Sequence, residues 1–369
     1  MKHHPTALIL FACLTVAPLA GYGVEIYVAP SGKTGAAGTA AAPVASLQEA
    51  ATRAQAGDVI RVAGGTYKYD KAVRLSAAGT ATAPIRVEPA DAARPLFDFS
   101  AEQFSDRNSG ILVSGDYWQV VGLEVIGTAR FGIETTGHHN VIERCVAHDN
   151  QNTGIQLSAP ASYNLVLNCD SYRNVDRPTR GENADGFGAK YLIGPGNVFR
   201  SCRAWENADD GFDLWKAPFP VRIEYCVAYR NGVDLWGIAG YVGNGNGIKI
   251  GGDFIAAAHV VIGCVAMDQP NRGFDQNNNT GALTVEQCTA IRCKFGFSFT
   301  TATVTGQPHV LRDNVGLDAP GEFVVGTVLE RNRWMEADGS PSITTIGESI
   351  PTTKTSWQKP RPTVSATKP

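Results

Sequence analysis

The carboxylates Asp185, Asp209, Asp210 and Asp213 and the amine of Lys249 are the residues of this chain best suited to chemistry. Four like charges held within a few ångströms cannot all stay ionised unaided; either some pKa values rise or a cation neutralises them. Hard oxygen donors at irregular spacing suit Ca2+ better than Mg2+ or zinc. A lysine beside them is a candidate base once it loses its proton. Burial and a nearby divalent cation favour that loss, whereas bare carboxylates oppose it. An isolated Asp-Asp-Gly is ordinarily a solvated turn, and an isolated lysine ordinarily a surface residue. The decision between these readings rests on whether the fold gathers the five residues.

A repeat does gather them. From residue 141 the chain restarts every 24 residues or slightly more, at Cys145, Cys169, Cys202, Cys226, Cys264 and Cys288. Asparagines follow five residues later at 150, 174, 207 and 231, and then a Gly with an apolar partner, as in Gly186-Phe187, Gly211-Phe212 and Gly247-Ile248. So short a period, with strand-like alternation and no helical stretch, predicts a parallel β-solenoid. Coils stack about 4.8 Å apart, so equivalent positions form ladders. Period-two alternation turns the Ile/Phe inward and the next residue outward. The outward ladder then reads Glu134, Gln156, Gly188, Asp213, Lys249, Asp275 and Ser298, which makes Asp213 and Lys249 neighbours. The cysteines share one ladder, too widely spaced for disulfides, and read as small buried hydrophobes. The asparagines read as an amide ladder at a turn.

Two coils are long, 33 residues from Cys169 to Cys202 and 38 from Cys226 to Cys264. Both insertions enter just before the outward ladder, and solenoid insertions map to loops on one face. Segments Val175–Asp185 and Gly232–Asn246 are therefore expected to wall a groove floored by Gly188, Asp213 and Lys249. Arg177, Arg180, Lys190 and Lys216 are expected contacts for an anionic substrate, weighed against the ordinary fate of solvated side chains.

The 369 residues carry a net charge of −3, with Lys and Arg dispersed, which offers nothing to nucleic acid. Residues 1–23 read as a secretory signal, with Lys2 followed by the apolar run Ala7–Ala20, too short for a confident membrane span. The mature chain is expected to be exported, extracellular or periplasmic, soluble and monomeric, with no membrane partner. Residues 24–347 form the solenoid, of which 24–100 are the N-terminal cap and first coils, and 348–369 a Pro/Thr-rich tail. Ser46-Leu-Gln-Glu49 is a capping box for a short helix within the cap.

Three segments carry a resemblance: Asn183-Ala-Asp185-Gly-Phe-Gly-Ala-Lys190, Arg203-Ala-Trp-Glu-Asn-Ala-Asp209-Asp210-Gly-Phe-Asp213-Leu-Trp215, and Gly245-Asn-Gly-Ile-Lys249-Ile-Gly-Gly. Together they look like the site of polysaccharide lyase family nine. The resemblance spans about residues 24–315 and implies an all-β fold, a single-stranded right-handed parallel β-helix. It places the family's calcium aspartates on Asp185, Asp209, Asp210 and Asp213 and its base on Lys249. The implied reaction is β-elimination on an acidic polysaccharide, polygalacturonate or pectin, with rhamnogalacturonan or another uronate polymer as the alternative. The segment after about Asp318 is short and unlike the family's usual C-terminal part. A glycoside hydrolase would leave Lys249 without a role, and a non-catalytic calcium-stabilised carbohydrate binder would leave both the lysine and the inserted loops unexplained.

Overall fold

Each coil is built from three short strands whose alternation sends one face inward. In the coil that opens at Asn140 these are Val141–Glu143, Val146–His148 and Ile155–Leu157. Ile142, Ala147, Ile155 and Leu157 are fully buried, while residues 141, 143, 146 and 148 stand half-buried on the outside. The computed structural model describes residues 23–103, 108–324, 326–336, 338–340 and 343–346. Within them the strands stack into three parallel sheets of twelve, eleven and eleven strands, each strand pairing with its counterpart in the next coil. The molecule is the right-handed parallel β-helix that the repeat and the resemblance predict.

The coils begin earlier than the Cys repeat. Glu25–Val28 pairs with Val59–Val62, and that strand with Ile85–Pro89, in the sheet that later carries Val141–Glu143. The capping box is in place: Ser46 Oγ accepts the Glu49 N–H at 3.2 Å and starts the helix Leu47–Arg53. That helix buries Leu47, Ala50 and Ala51 against the first strands, covering the end of the core. The segment 1–23 read as a signal lies, but for Gly23, outside the described residues, as does the tail 348–369.

Internal ladders fix the register. Asn150 Nδ2 donates to Asn174 Oδ1 at 2.9 Å, Asn174 to Asn207 at 2.8 Å, and Asn207 to Asn231 at 2.9 Å. The seven described cysteines are free thiols, all buried. They do more than fill space: Cys226 Sγ accepts the Cys202 N–H at 3.4 Å and donates to Glu224 O at 3.3 Å. Asn314 and Asn332 continue that file, Asn314 Oδ1 accepting from Cys288 N at 2.8 Å. A further file went unread in the sequence. Asn140, Asn164 and Asn197 each accept a backbone N–H from the preceding coil, and His259 Nδ1 does the same for Val221 at 3.0 Å. Inside, Phe187 and Phe212 stack with centroids 4.8 Å apart, and Phe274 and Phe297 at 4.6 Å.

Candidate active site

The strands Phe187–Ala189, Phe212–Asp213, Ile248–Lys249 and Arg272–Asp275 lie side by side in one sheet. Their pairing aligns Glu134 with Gln156, Gln156 with Gly188, Gly188 with Asp213, Asp213 with Lys249, Lys249 with Asp275 and Asp275 with Ser298. This is the outward ladder read from the repeat, with every member at its expected rung. Gly188 has a steric reason: a Cβ there would meet Gln156 Oε1 at 2.1 Å.

Asp185 and Asp210 precede the Gly of adjacent coils, and Asp209 sits beside Asp210 in the bend. One oxygen from each of Asp185, Asp209 and Asp210 lies within 4.8 Å of the others, and all three residues are buried. Backbone amides hold the bend: Asn244 N donates to Asp209 Oδ1 at 2.6 Å, Asn246 N to Asp210 Oδ1 at 2.8 Å, and Asp210 N to Asp185 Oδ1 at 3.2 Å. Asp210 Oδ2 is buried and faces the Lys249 ammonium, 3.2 Å from its Nζ. The three converging carboxylates form an oxygen-only donor set that fits a hard divalent cation such as Ca2+. Asp213 stands outside this group of three; its Oδ2 lies between two ammonium groups, 3.1 Å from Lys190 and 3.5 Å from Lys249. Its Oδ1 accepts the Trp215 N–H at 2.8 Å.

The electrostatics follow from burial and from these neighbours. Burial, then mutual repulsion, pushes Asp209 well above the usual carboxylate range. Burial raises Asp185 to about 7 against the pull of Lys190, and Asp210 to about 6 against that of Lys249. Burial also acts on Asp213, but the ammonium groups of Lys249 and Lys190 outweigh it and hold the carboxyl low. For Lys249 the largest single influence is burial, which disfavours the charged form. The four aspartates together override it and keep the ammonium protonated. The opposition left open by the sequence is thus resolved in favour of the carboxylates while their charge is uncompensated.

Lys190 corrects one expectation. Read as a solvated lysine or a surface contact for an anion, it is only 5% exposed, with Nζ 2.6 Å from Asp185 Oδ2. Alternation places residue 190 on the outer face with the carboxylates, and its long stem folds back onto them. Lys216 stays half-exposed, its Nζ 3.0 Å from Asp253 and 4.4 Å above the Trp215 ring. Arg177 and Arg180 are exposed on the first inserted loop, around a single 3-10 turn at Arg177–Thr179. Buried Asp176, raised to about 6 by burial, folds that loop by accepting from Asn183 N at 3.0 Å. The second loop leans on the first, Val242 N donating to Arg180 O at 3.0 Å, and on the carboxylate bend, the Tyr241 hydroxyl donating to Ala208 O.

Two supporting groups escaped the sequence reading. Thr153 Oγ1 donates to Asp185 Oδ2 at 3.1 Å, from the same pre-Gly position that holds Asp185 and Asp210 in later coils. The repeat register alone would have found it. The amides of Asn244 and Asn246 carry no such signal, since any residue supplies a backbone N–H.

Comparison with known proteins bears on this geometry. The family described as Pel9A-like, right handed beta helix region, matches residues 26–314. Pectate lyase L of Dickeya dadantii is 39% identical over 301 residues, covering 79% of this chain and 71% of that protein. The crystal structure of pectate lyase Pel9A superposes with a TM-score of 0.77 at 36% identity, covering 88% of this chain and 78% of the other. A rhamnogalacturonan lyase structure gives 0.74 at 26% identity, over 88% and 85% of the two chains.

Proposed function

This chain belongs to the Pel9A-like right-handed β-helix family of polysaccharide lyases, and from that premise we propose that it cleaves polygalacturonate by calcium-dependent β-elimination with Lys249 as the base. The observation that carries the reading is the rung shared by Asp213 and Lys249, beside three converging carboxylates. Asp185, Asp209 and Asp210, with Asp213 adjacent, are the residues to hold the cation. Bound there, Ca2+ supplies positive charge that neutralises the cluster and makes the proton α to a uronate carboxylate more acidic.

The chain's own residues do the rest. The influences that keep the Lys249 amine protonated come from the aspartates, whereas burial favours its neutral form. With the carboxylate charge compensated, burial prevails and the amine can accept a proton. The C5–H bond breaks as that proton passes to Lys249 Nζ. Its electron pair forms the C4–C5 double bond, the C4–O bond breaks, and the leaving oxygen takes a proton from solvent. Lys190 stays beside Asp185 and Asp213 as a fixed counter-charge, with its own proton held firmly by those carboxylates.

The test is ultraviolet absorbance of unsaturated product ends, read on polygalacturonate, pectin and rhamnogalacturonan with and without a chelator. Cleavage that ignores the chelator removes calcium from the mechanism, and hydrolysis without the absorbance removes the lyase reading. Rhamnogalacturonan is included because of the likeness to a lyase named for it. The apolar run before Gly23 fits export to where such polymers occur.

A further inference from the structure

On the far side of the floor from the inserted loops, the chain leaves the site strands through a ridge of exposed apolar side chains. Tyr191 is 47% and Phe254 66% exposed, from the coils that supply Lys190 and Lys249, with half-exposed Trp215 between them. Soluble proteins seldom leave large apolar side chains clustered at the surface beside a polar site unless something covers them.

Trp215 is built into this ridge. Its backbone N–H donates to Asp213 Oδ1 at 2.8 Å, which ties the residue to the floor. Its ring meets Tyr191 edge-on with centroids 5.2 Å apart, and Lys216 Nζ lies 4.4 Å over it. The indole also reaches across to the next coil: a Cβ on Gly252 would stand 2.4 Å from Trp215 Cδ1, so that position admits the ring only as glycine. Among the described residues the indole N–H has no acceptor, whereas that of Trp118 donates to Ala77 O at 2.7 Å. An aromatic face, a free N–H and an adjacent ammonium match the three sides of a uronate sugar: its C–H face, its hydroxyls and its carboxylate.

We propose that Trp215 and Lys216, flanked by Tyr191 and seated over Gly252, form a subsite that binds one uronate residue of the polymer next to the cleavage point; the identity of the sugar rests on the lyase reading above. The sugar's C–H face packs on the ridge aromatics, and its carboxylate draws the Lys216 ammonium away from Asp253. That exchange is cheap because the Lys216–Asp253 pair is half-exposed, and such pairs contribute little. Continuity with the Asp213–Lys249 floor and the charge of Lys216 select an acidic polysaccharide as the occupant.

The experiment compares Trp215→Ala, Trp215→Phe and Lys216→Gln with wild type by initial rates on polygalacturonate. Trp215→Ala is expected to raise KM about tenfold, the loss of one well-packed aromatic contact, with kcat within about twofold. Trp215→Phe should fall between, and Lys216→Gln should raise KM a few-fold and flatten its salt dependence. In parallel, electrophoretic retardation by polygalacturonate is measured in a Lys249→Ala background, where no turnover occurs. If wild type yields no unsaturated product, the lyase reading falls, while loss of retardation on Trp215→Ala still upholds the subsite. Unchanged KM and retardation in Trp215→Ala, or in Trp215→Phe and Lys216→Gln should the alanine variant fail to fold, overturns the proposal.

Discussion

Replacing Asn207 by alanine removes the middle rung of the amide ladder, two residues before the carboxylate bend. Its Nδ2 donates to Asn231 Oδ1 at 2.9 Å and Ser171 O at 3.1 Å, and its Oδ1 accepts from Asn174 Nδ2 at 2.8 Å and Asn174 N at 3.3 Å. Four hydrogen bonds at about 1 kcal/mol each set the scale. Some partners are partly rescued: Asn174 Nδ2 also donates to Ser171 Oγ at 3.0 Å, and Asn231 Oδ1 keeps the Asn207 N–H at 3.2 Å. The Asn174 N–H is left buried with no other side-chain acceptor, which adds about 1–3 kcal/mol. The expected cost is about 4 kcal/mol, read as a lowered midpoint of urea denaturation followed by far-ultraviolet circular dichroism. Asn207→Cys should cost less, because Cys293 occupies the same ladder three coils further on and still donates to a carbonyl, Ala266 O at 3.6 Å. A loss below about 1 kcal/mol for Asn207→Ala would refute the claim that the amide file, rather than strand pairing alone, holds the coils in register.

Lys249→Arg keeps charge and bulk, but arginine's pKa above about 12 leaves almost no neutral form, so turnover should fall by about three orders of magnitude or more. Product absorbance checks this, and near-normal turnover would reduce Lys249 to an electrostatic anchor. Asp210→Asn should weaken calcium binding at least tenfold in a titration calorimeter while leaving the circular dichroism spectrum intact; unchanged affinity would move the metal elsewhere. His259 is fully buried and its pKa is depressed to about 3 by burial. A depressed histidine favours the unfolded chain once pH drops below its free value near 6.5, so its stabilising share is complete above that value and is lost toward pH 3. At pH 5 the loss is about 2 kcal/mol relative to pH 8. The raised Asp185 and Asp210 act oppositely, gaining stability on acidification, so the comparison must be with His259→Asn. That variant restores the residue type of Asn140, Asn164 and Asn197 in the same file. Between pH 8 and pH 5 the wild-type midpoint should fall relative to that of His259→Asn by the equivalent of about 2 kcal/mol, and parallel pH profiles would disprove the assignment.

What the sequence revealed followed from repetition. Between residues 141 and 293 the Cys and Asn positions recur at fixed offsets, so register, ladder and the contact of Asp213 with Lys249 could be counted off. The coils before residue 111 hold the same three sheets, with Ile60 and Val87 on the rung of Ile142 and Phe97 on that of Ala147, but no recurring Cys or Asn marks them, and without a marker residue the period is invisible. The His259 file was hidden for the same reason, since Val221 and Leu283 interrupt it. At the site, register fixed where backbones lie but not where long side chains turn. Lys190 is two residues from the floor position Gly188 and could have pointed to solvent; the charge of Asp185 and Asp213 decides otherwise.

The two long connections enter at the bend before the site strands, and their inner ends belong to the site: Asp185 closes the first, and the Asn244 and Asn246 amides of the second hold Asp209 and Asp210. Asp213 and Lys249 stand on rungs whose spacing the backbone pairing dictates. The outer parts of both loops are therefore separable from bond-breaking, and because closing a longer loop costs only a logarithm of its length, they can be exchanged or extended with little penalty to the rungs beneath. Such a scaffold lends itself to loop transplantation: new polymer preferences can be grafted in front of an unchanged reaction centre.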